Sequence, residues 1–276
     1  MNYVVYSHSS FADILEVQTD YLKDIDNKFL FIDKSNNLLS NCSTPHMNHL
    51  YSQYKDVIYY DDSKPYASRL IDCLEELKQR HNVEFCLFTH DVDIIMHQDT
   101  QALENCLQIM KDNKIHRVSL QYDWNDENDD QTLIEIMSQE ITKTPKADTV
   151  YLRQDAYGAY AYEVNPAIYK IDHFLGLLRV DPNLGYRQIE TDRRIQQYAK
   201  DVLRACKLKC FETDTIHCGY FNCLPIYIFL HITHSGKLVP TDQDDRFFVK
   251  NSYYDVKGEY LKILEKYNLS SNRIFG

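Results

Sequence analysis

The sequence predicts an α/β fold with a largely parallel sheet, and three features indicate it. Four short runs of β-forming residues alternate with helical or polar segments up to Ile95, as parallel strands joined by crossovers do. A polar cluster follows each of these runs. Hydrophobic residues make up 44% of the 276 positions, which is enough for a substantial core.

The first half of the chain carries the clearest elements. Strands are predicted at residues 2–7, 28–32, 56–60 and 85–88, and helices or helical turns at residues 11–22, 46–54 and 63–80. The last of these helices is the most distinct. Ser63 and Pro65 are typical of a helix start, and Leu70, Cys73 and Leu77 repeat on one apolar face.

The fourth strand, Phe85 to Phe88, is apolar throughout and is expected to lie buried in the centre of the sheet. It is followed by His90-Asp91-Val92-Asp93. Two carboxylates one residue apart at the end of a buried strand are costly to keep charged without a cation. A divalent cation that also binds phosphate oxygens suits such a pair. A solvated acidic loop without a ligand is an equally open alternative.

The polar clusters after the four strands are expected to meet at one edge of the sheet. They are Ser7-His8-Ser9, Asp33-Lys34, Asp61-Asp62 and His90 to Asp93. The carboxyl ends of parallel strands lie on the same side, and ligands of open α/β sheets bind in the crevice outside them. The agreement of four strands favours a ligand site over loops that are merely polar.

The second half of the chain continues with mixed elements. Helices are predicted at residues 100–113, 131–141, 165–178, 190–207 and 257–267, and strands at residues 114–121, 149–153, 157–163, 208–213 and 224–231. The acidic residues 123–130 are predicted to form a solvated loop. Any domain boundary would fall near residues 123–148, and one continuous domain over residues 1–276 is the favoured organisation.

Composition limits the class of protein. The net charge is -11 and no basic stripe is present, which argues against a protein that binds nucleic acid. No apolar run reaches the ~20 residues of a membrane span. Residues 2–8 alternate like a strand rather than a signal peptide, so we expect a cytoplasmic protein.

The sequence contains 8 cysteines. Three of them lie in apolar periodic segments and are expected to be small core residues: Cys73, Cys86 and Cys106. Four others offer a zinc site as a weaker alternative because their spacing is irregular: Cys206, Cys210, Cys218 and Cys223.

The strand that ends in Asp91-Val92-Asp93 lies in an α/β half that precedes a mixed half, and this arrangement resembles the GT-A glycosyltransferases with their Asp-x-Asp motif. Three further segments are similar to motifs of that family. They are Tyr157 to Tyr162 with the following Asn165 to Tyr169, Gln188 to Arg194, and His231 to Lys237. The resemblance covers most of residues 2–240.

The resemblance implies a GT-A-like (Rossmann-like) fold with a mixed, mostly parallel central sheet flanked by helices. By the same resemblance, residues 1–122 form the half that binds a nucleotide sugar, residues 149–240 the acceptor and catalytic half, and residues 241–276 a C-terminal tail. The implied activity is the metal-dependent transfer of a sugar from a nucleoside diphosphate sugar to a hydroxyl of a glycan or another acceptor. The implied cofactor is Mn²⁺ or Mg²⁺.

The resemblance also implies roles for individual residues. The metal ligands are Asp91, Asp93 and His234. The residues that bind the donor are His8, Ser9, Asp61, Asp62, Arg69, Asp91 and Lys237. Glu190 takes the position of the catalytic base, and Asp192 is the second catalytic candidate. Ile189 departs from the acidic residue that usually precedes the base, so the base and the stereochemical outcome stay open.

Several of these residues also suit purely structural roles. Glu190 also suits a helix start by complementing the helix dipole, and Arg69 is spaced to pair with Asp72 or Glu76 on its own helix. His234 also suits a hydrogen-bonded structural role. Two other functions stay open: a metal-dependent phosphohydrolase, which needs additional carboxylates, and a catalytically inactive, transferase-like binding module.

Overall fold

The computed structural model describes residues 1–34, 44–112, 114–120, 150–154, 162, 166–202, 205–210, 227–234, 236–241 and 255–274. The strands are β1 (Tyr3–Tyr6), β2 (Lys28–Asp33), β3 (Asp56–Tyr60), β4 (Phe85–His90), β5 (Asp93–Gln98), β6 (Arg117–Ser119), β7 (Val150–Gln154), β8 (Ala167–Lys170), β9 (Ala205–Cys210), β10 (Tyr227–His231), β11 (Thr233–His234) and β12 (Lys237–Leu238). The helices are a 3₁₀ turn (Ser9–Phe11), α1 (Ala12–Tyr21), α2 (Thr44–Ser52), α3 (Tyr66–His81), α4 (Thr100–Asp112), α5 (Ile171–Leu178), α6 (Tyr186–Thr191), α7 (Arg193–Val202), α8 (Val256–Lys266) and α9 (Leu269–Asn272).

Eight strands form one mixed sheet in the order β3-β2-β1-β4-β8-β6-β9-β7. The first four strands of that order are parallel, and β6 is parallel to β9. Strand β8 is antiparallel to both β4 and β6, and β7 is antiparallel to β9. Two smaller pairs, β5 with β10 and β11 with β12, lie outside this sheet. The predicted fold class, a mixed and mostly parallel α/β sheet flanked by helices, is therefore confirmed.

Strand β4 lies at the centre because both of its faces are buried. All six of its residues are buried. Leu87 packs with α1, α2 and α4 on one face, and Cys86 and Phe88 pack with α3 and α5 on the other. A continuous apolar run is what a strand covered on both faces requires, so this prediction from the sequence is confirmed.

The predicted helix over residues 165–178 is wrong in its first part. Residues Ala167–Lys170 form β8, and the helix α5 begins only at Ile171. Ala167 and Tyr169 pack on one face of the sheet and Ile168 on the other, which is the alternation of a strand. Hydrogen bonding to β4 and β6 on both sides overrides the weak local preference of these residues.

The predicted helix over residues 190–207 is interrupted. Asp192 has an extended ψ of 122° and separates α6 from α7. Residues from Ala205 onward form β9 rather than the end of a helix. The predicted acidic loop 123–130, the helix 131–141 and most of the strand 157–163 lie outside the described residues.

Cys206 and Cys210, the first pair of cysteines in the alternative zinc site, cannot bind one zinc ion together. Cys206 and Cys210 stand four residues apart in β9, and that strand pairs with β7 in continuous register. Their Cα atoms are therefore roughly 13 Å apart along the strand, too far for two sulfur ligands of one zinc ion at ~2.3 Å each. Cys218 and Cys223 lie outside the described residues.

No helix in the described part of the chain combines the length and the apolar character needed to cross a membrane.

Candidate active site

The site lies where the order of the parallel strands reverses. From β1 the chain moves outward to β2 and then β3, whereas β4 lies on the opposite side of β1. The carboxyl ends of β1 and β4 therefore flank a topological switch point, the place where open α/β sheets bind ligands. Ser7 follows β1 and Asp91 follows β4, and Ser7 Oγ donates a hydrogen bond to Asp91 Oδ2 at 2.5 Å. The two predicted clusters thus meet in the structure.

Asp91 and Asp93 form a buried carboxylate pair. Their residues are 5% and 2% exposed. Burial raises the pKa of Asp91 to about 7, and the negative charge of Asp93 adds to this, while the Ser7 hydrogen bond and the charge of Arg273 oppose it. Two acidic groups this deeply buried favour a nearby cation.

His231 is the described partner of Asp93. Strand β10 pairs with β5 so that His231 lies opposite Asp93, and His231 Nδ1 is 2.8 Å from Asp93 Oδ1. Burial lowers the pKa of His231, but the hydrogen bond to Asp93 and the charges of Asp93 and Asp91 outweigh it, so the net shift is upward. The imidazole is therefore a donor to Asp93 and supports its orientation.

The ends of β1, β2 and β3 form a second group of contacts. Ser9 donates to Asp33 through its backbone N at 2.5 Å and through Oγ at 2.9 Å. His8 Nδ1 accepts from the backbone N of Ser10 at 3.1 Å, which leaves Nε2 as the donor to Asp62 at 3.3 Å. Arg69 Nη1 lies 2.6 Å from the other oxygen of Asp62. The predicted donor-binding residues His8, Ser9, Asp62 and Arg69 are thus brought together.

Tyr186, at the start of α6, lies against the end of β4. Its ring makes edge-to-face contacts with Tyr66 and His90 at centroid distances of 5.2 and 5.3 Å. Burial raises the pKa of Tyr186, and the charges of Asp93, Glu190 and Asp91 raise it further. Tyr186 is therefore within electrostatic range of all three carboxylates, and Glu190 is partly buried one helical turn after it in α6.

Asp192 has a different environment from Glu190. Its Oδ1 accepts from the backbone N atoms of Arg194 and Ile195 at 2.8 and 3.3 Å, as the N-cap of α7 does. Its Oδ2 accepts from Arg194 Nη2 at 2.8 Å. The hydrogen bond from Arg194 lowers the pKa of Asp192 to about 2. The described contacts of this carboxylate are those of a helix cap.

The three other predicted site residues are Asp61, Lys237 and His234. Asp61 is exposed and accepts from the backbone N and Oγ of Ser63 at 3.0 and 2.7 Å. Lys237 is exposed in β12, opposite His234 of β11. The side chain of His234 lies outside the described part of the structure.

The described side chains supply an incomplete ligand set for a metal. Among them, no group of three or more His, Cys, Asp and Glu residues is arranged to hold an ion. The buried pair Asp91 and Asp93 nonetheless offers oxygen ligands, which suit Mg²⁺ or Mn²⁺. Mg²⁺ is often held by one or two carboxylates, with substrate phosphates and water completing its shell. The residues therefore fit an ion that binds together with a phosphorylated ligand.

A buried chain of hydrogen bonds lies behind Tyr186. Tyr66 Oη is 2.7 Å from His90 Nε2 and 2.7 Å from Tyr162 Oη. We expect Tyr66→Phe to lower the free energy of unfolding by about 1–3 kcal/mol, because it leaves two buried polar groups without this partner. Urea denaturation measures the effect. Tyr59→Phe, at an exposed tyrosine of β3, is the matched control and should change stability by less than about 0.5 kcal/mol. Equal stability of both variants would contradict the prediction.

Ser7, Asp33, His231 and Tyr186 were not singled out as site residues by the sequence. Ser7 and Asp33 were within the predicted clusters, so their positions at strand ends contained the signal. His231 was included in the segment His231 to Lys237, but the spacing did not distinguish it from His234. Tyr186 lies four residues before Glu190, and one turn of helix places the two on the same side of α6.

Comparison with known proteins gives only weak likenesses. No family model matches the chain, and no curated protein matches it in sequence. A crystal structure of residues 1–349 of S. aureus TarS is 12% identical over 79% of this chain and 60% of that chain, with a TM-score of 0.40. The chain spans 36% of a longer S. aureus TarS structure, at 13% identity and a TM-score of 0.39. UDP-glucose pyrophosphorylase complexed with UDP-glucose is 10% identical over 78% of this chain and 92% of that chain, with a TM-score of 0.39. These values are too low to assign a family.

Proposed function

We propose that the chain is a metal-dependent glycosyltransferase that moves a sugar from a nucleoside diphosphate sugar to a hydroxyl acceptor. The observation that carries the proposal is the buried pair Asp91 and Asp93 at the switch point between β1 and β4. A negatively charged diphosphate binds there only if its charge and that of the pair are balanced. Asp91 and Asp93 would hold a divalent ion that balances this charge, and the ion would supply electrostatic stabilisation of the departing diphosphate.

The residues at the ends of β1, β2 and β3 suit the nucleotide part of the donor. His8, Ser9 and Asp62 supply hydrogen-bonding groups at this edge. Arg69 is 21% exposed at its side chain and already pairs with Asp62, so an incoming phosphate would compete with that carboxylate for the guanidinium. Lys237 is exposed on the hairpin of β11 and β12 and is proposed to reach the diphosphate.

Glu190 is the proposed general base. In the transfer, the acceptor oxygen bonds to the anomeric carbon, and the bond between that carbon and the diphosphate oxygen breaks. The electron pair leaves with the diphosphate, and Glu190 takes the proton from the acceptor hydroxyl. Glu190 lies one helical turn after Tyr186, whose ring contacts His90 next to Asp91, and this placement supports Glu190 near the reacting centre.

A screen of nucleoside diphosphate sugars with and without Mn²⁺ tests the proposal. Saturating ligand at about 100 times its Kd adds roughly 2.7 kcal/mol of stability, which raises Tm by roughly 5 °C or more. We expect this rise with one nucleotide, only with the metal. Product analysis with a hydroxyl acceptor should then show a glycoside and a nucleoside diphosphate.

Other products would identify the other candidate activities. Orthophosphate released without an acceptor would indicate a phosphohydrolase. Pyrophosphate released from a nucleoside triphosphate and a sugar 1-phosphate would indicate nucleotidyl transfer. Metal-dependent nucleotide binding without turnover would indicate a binding module, and no binding at all would refute the proposal.

A further inference from the structure

The C-terminal segment, residues 255–274, contains a buried arginine, Arg273, next to the candidate site. Its side chain is 9% exposed, and that of Asp13 in α1 is 10% exposed. Arg273 Nε and Nη2 donate to the two carboxylate oxygens of Asp13 at 2.7 and 2.6 Å. A bidentate pair of this kind fixes both distance and orientation.

The same guanidinium also contacts two backbone carbonyls in other segments. Arg273 Nη2 donates to Ser10 O at 3.2 Å, and Nη1 donates to Gly236 O at 3.3 Å. Ser10 belongs to the turn after β1, which carries His8 and Ser9. Gly236 lies in the turn between β11 and β12, next to Lys237. One side chain therefore joins the turn after β1 and the hairpin of β11 and β12, both of which carry residues proposed to bind the donor.

Backbone hydrogen bonds extend this connection toward the carboxylate pair. Leu238 N donates to Ile274 O at 2.9 Å, so the hairpin of β11 and β12 is bonded to the residue after Arg273. Ile232, at the start of that hairpin, donates from its N to Val92 O at 2.9 Å. Val92 separates Asp91 from Asp93. The hairpin is thus held at one end by Val92, between the two buried carboxylates, and at the other end by the C-terminal segment.

The rest of the C-terminal segment is held independently of Arg273. In α8, Tyr260, Ile263 and Leu264 are buried in one cluster with Ile14 and Val17 of α1. Tyr267 Oη also donates to Asp20 at 2.6 Å near the end of α1. Loss of the Arg273 side chain would leave these contacts in place, so the segment would stay docked while the turn and the hairpin lose their common partner.

We propose that Arg273 is a positioning residue that holds the turn after β1 and the hairpin of β11 and β12 in the arrangement required for nucleotide binding. The proposal rests on the proposed function, because it concerns the same donor site. It assigns a functional role to the C-terminal segment, which contributes no predicted ligand of its own. Arg273 acts through Ser10, Gly236 and Asp13 and is not expected to touch the nucleotide.

The test compares R273A and R273K with wild type by calorimetric titration of UDP and GDP in the presence of Mn²⁺, well below the melting temperature. Far-UV circular dichroism checks the fold. Groups that orient the ligands of a metal site typically contribute 10–100-fold to metal affinity or activity, and we expect an effect of this size here, with R273A binding nucleotide in the presence of Mn²⁺ at least about tenfold more weakly. R273K keeps the charge but loses the bidentate geometry, so its affinity for the nucleotide should be intermediate. R273K also serves as the test variant if R273A does not fold.

Lys266 offers a matched control in the same segment. Its Nζ donates to Asp20 at 2.9 Å on the surface, away from the turn and the hairpin. K266M should bind the nucleotide within about twofold of wild type, as expected for loss of an exposed pair. Millimolar guanidinium should partly restore binding by R273A, whereas methylammonium should not, because only guanidinium can pair bidentately with Asp13.

The outcomes separate this inference from the proposed function. If wild type binds nucleotide and folded R273A and R273K bind it equally well, Arg273 is only structural and the inference is wrong. A lower Tm with unchanged Kd would lead to the same conclusion. If wild type binds no nucleotide, the proposed function fails and this inference fails with it.

Discussion

Asp93→Asn is expected to abolish metal-dependent nucleotide binding and to lower transfer by about 10²–10³-fold, since groups that stabilise developing charge in a buried site contribute about that much each. Asparagine keeps the shape of the side chain and removes its charge. Asp93 is 2% exposed, so water cannot readily replace the missing carboxylate. Asp91 alone would then have to hold the ion. The measurement is the rise in Tm with nucleotide and Mn²⁺, followed by the transfer rate.

Asp61→Asn is the matched control for this prediction. Asp61 follows β3 at the same edge of the sheet, but it is exposed and its oxygen accepts from Ser63. We expect its substitution to change nucleotide binding by no more than about threefold, because exposed charges are well screened. Full metal-dependent binding by the Asp93 variant would show that the buried pair does not hold the ion. Equal losses in both variants would indicate a general effect of negative charge at this edge.

Much of the candidate site could be predicted because it depends on local patterns. Apolar runs identify parallel strands, and the polar residue after each run must lie at the carboxyl edge. This reasoning alone brings Ser7 and Asp91 to one side of the sheet, where the structure joins them by a hydrogen bond. It also explains why His8, Ser9 and Asp62 are close together, although they come from different strand ends.

The remaining contacts depend on pairing between distant parts of the chain. Asp93 and His231 are separated by 138 positions, and their contact follows from the register of β5 with β10. A period-2 pattern predicts a strand but does not name its partner. The same reason explains why the local sequence of β8 predicts a helix although the segment pairs with β4 and β6 as a strand. Arg273 and Asp13 are separated by 260 positions, so no local motif could connect them.

Glu190→Gln is expected to lower the transfer rate by about 10²–10⁴-fold, the usual contribution of a general base, and to leave the Kd of the nucleotide nearly unchanged. Glutamine preserves the shape of the side chain and cannot accept the proton. The loss should therefore appear in kcat rather than in donor binding. Single-turnover rates and calorimetric titration of the same preparation separate the two quantities. Weaker nucleotide binding with an unchanged transfer rate would refute the role of base.

The variant Asp192→Asn tests which of the two catalytic candidates, Glu190 or Asp192, is the general base. A carboxylate whose pKa is lowered to about 2 is a weak base at neutral pH, and its oxygens are already occupied by Arg194 and the start of α7. Asparagine also caps helices well, so we expect the transfer rate to stay within about threefold of wild type. Glu190 instead lies one helical turn after Tyr186, whose ring contacts His90 next to the buried pair, and this proximity favours it as the base. A large rate loss in the Asp192 variant together with normal turnover by the Glu190 variant would reverse the assignment and make Asp192 the base.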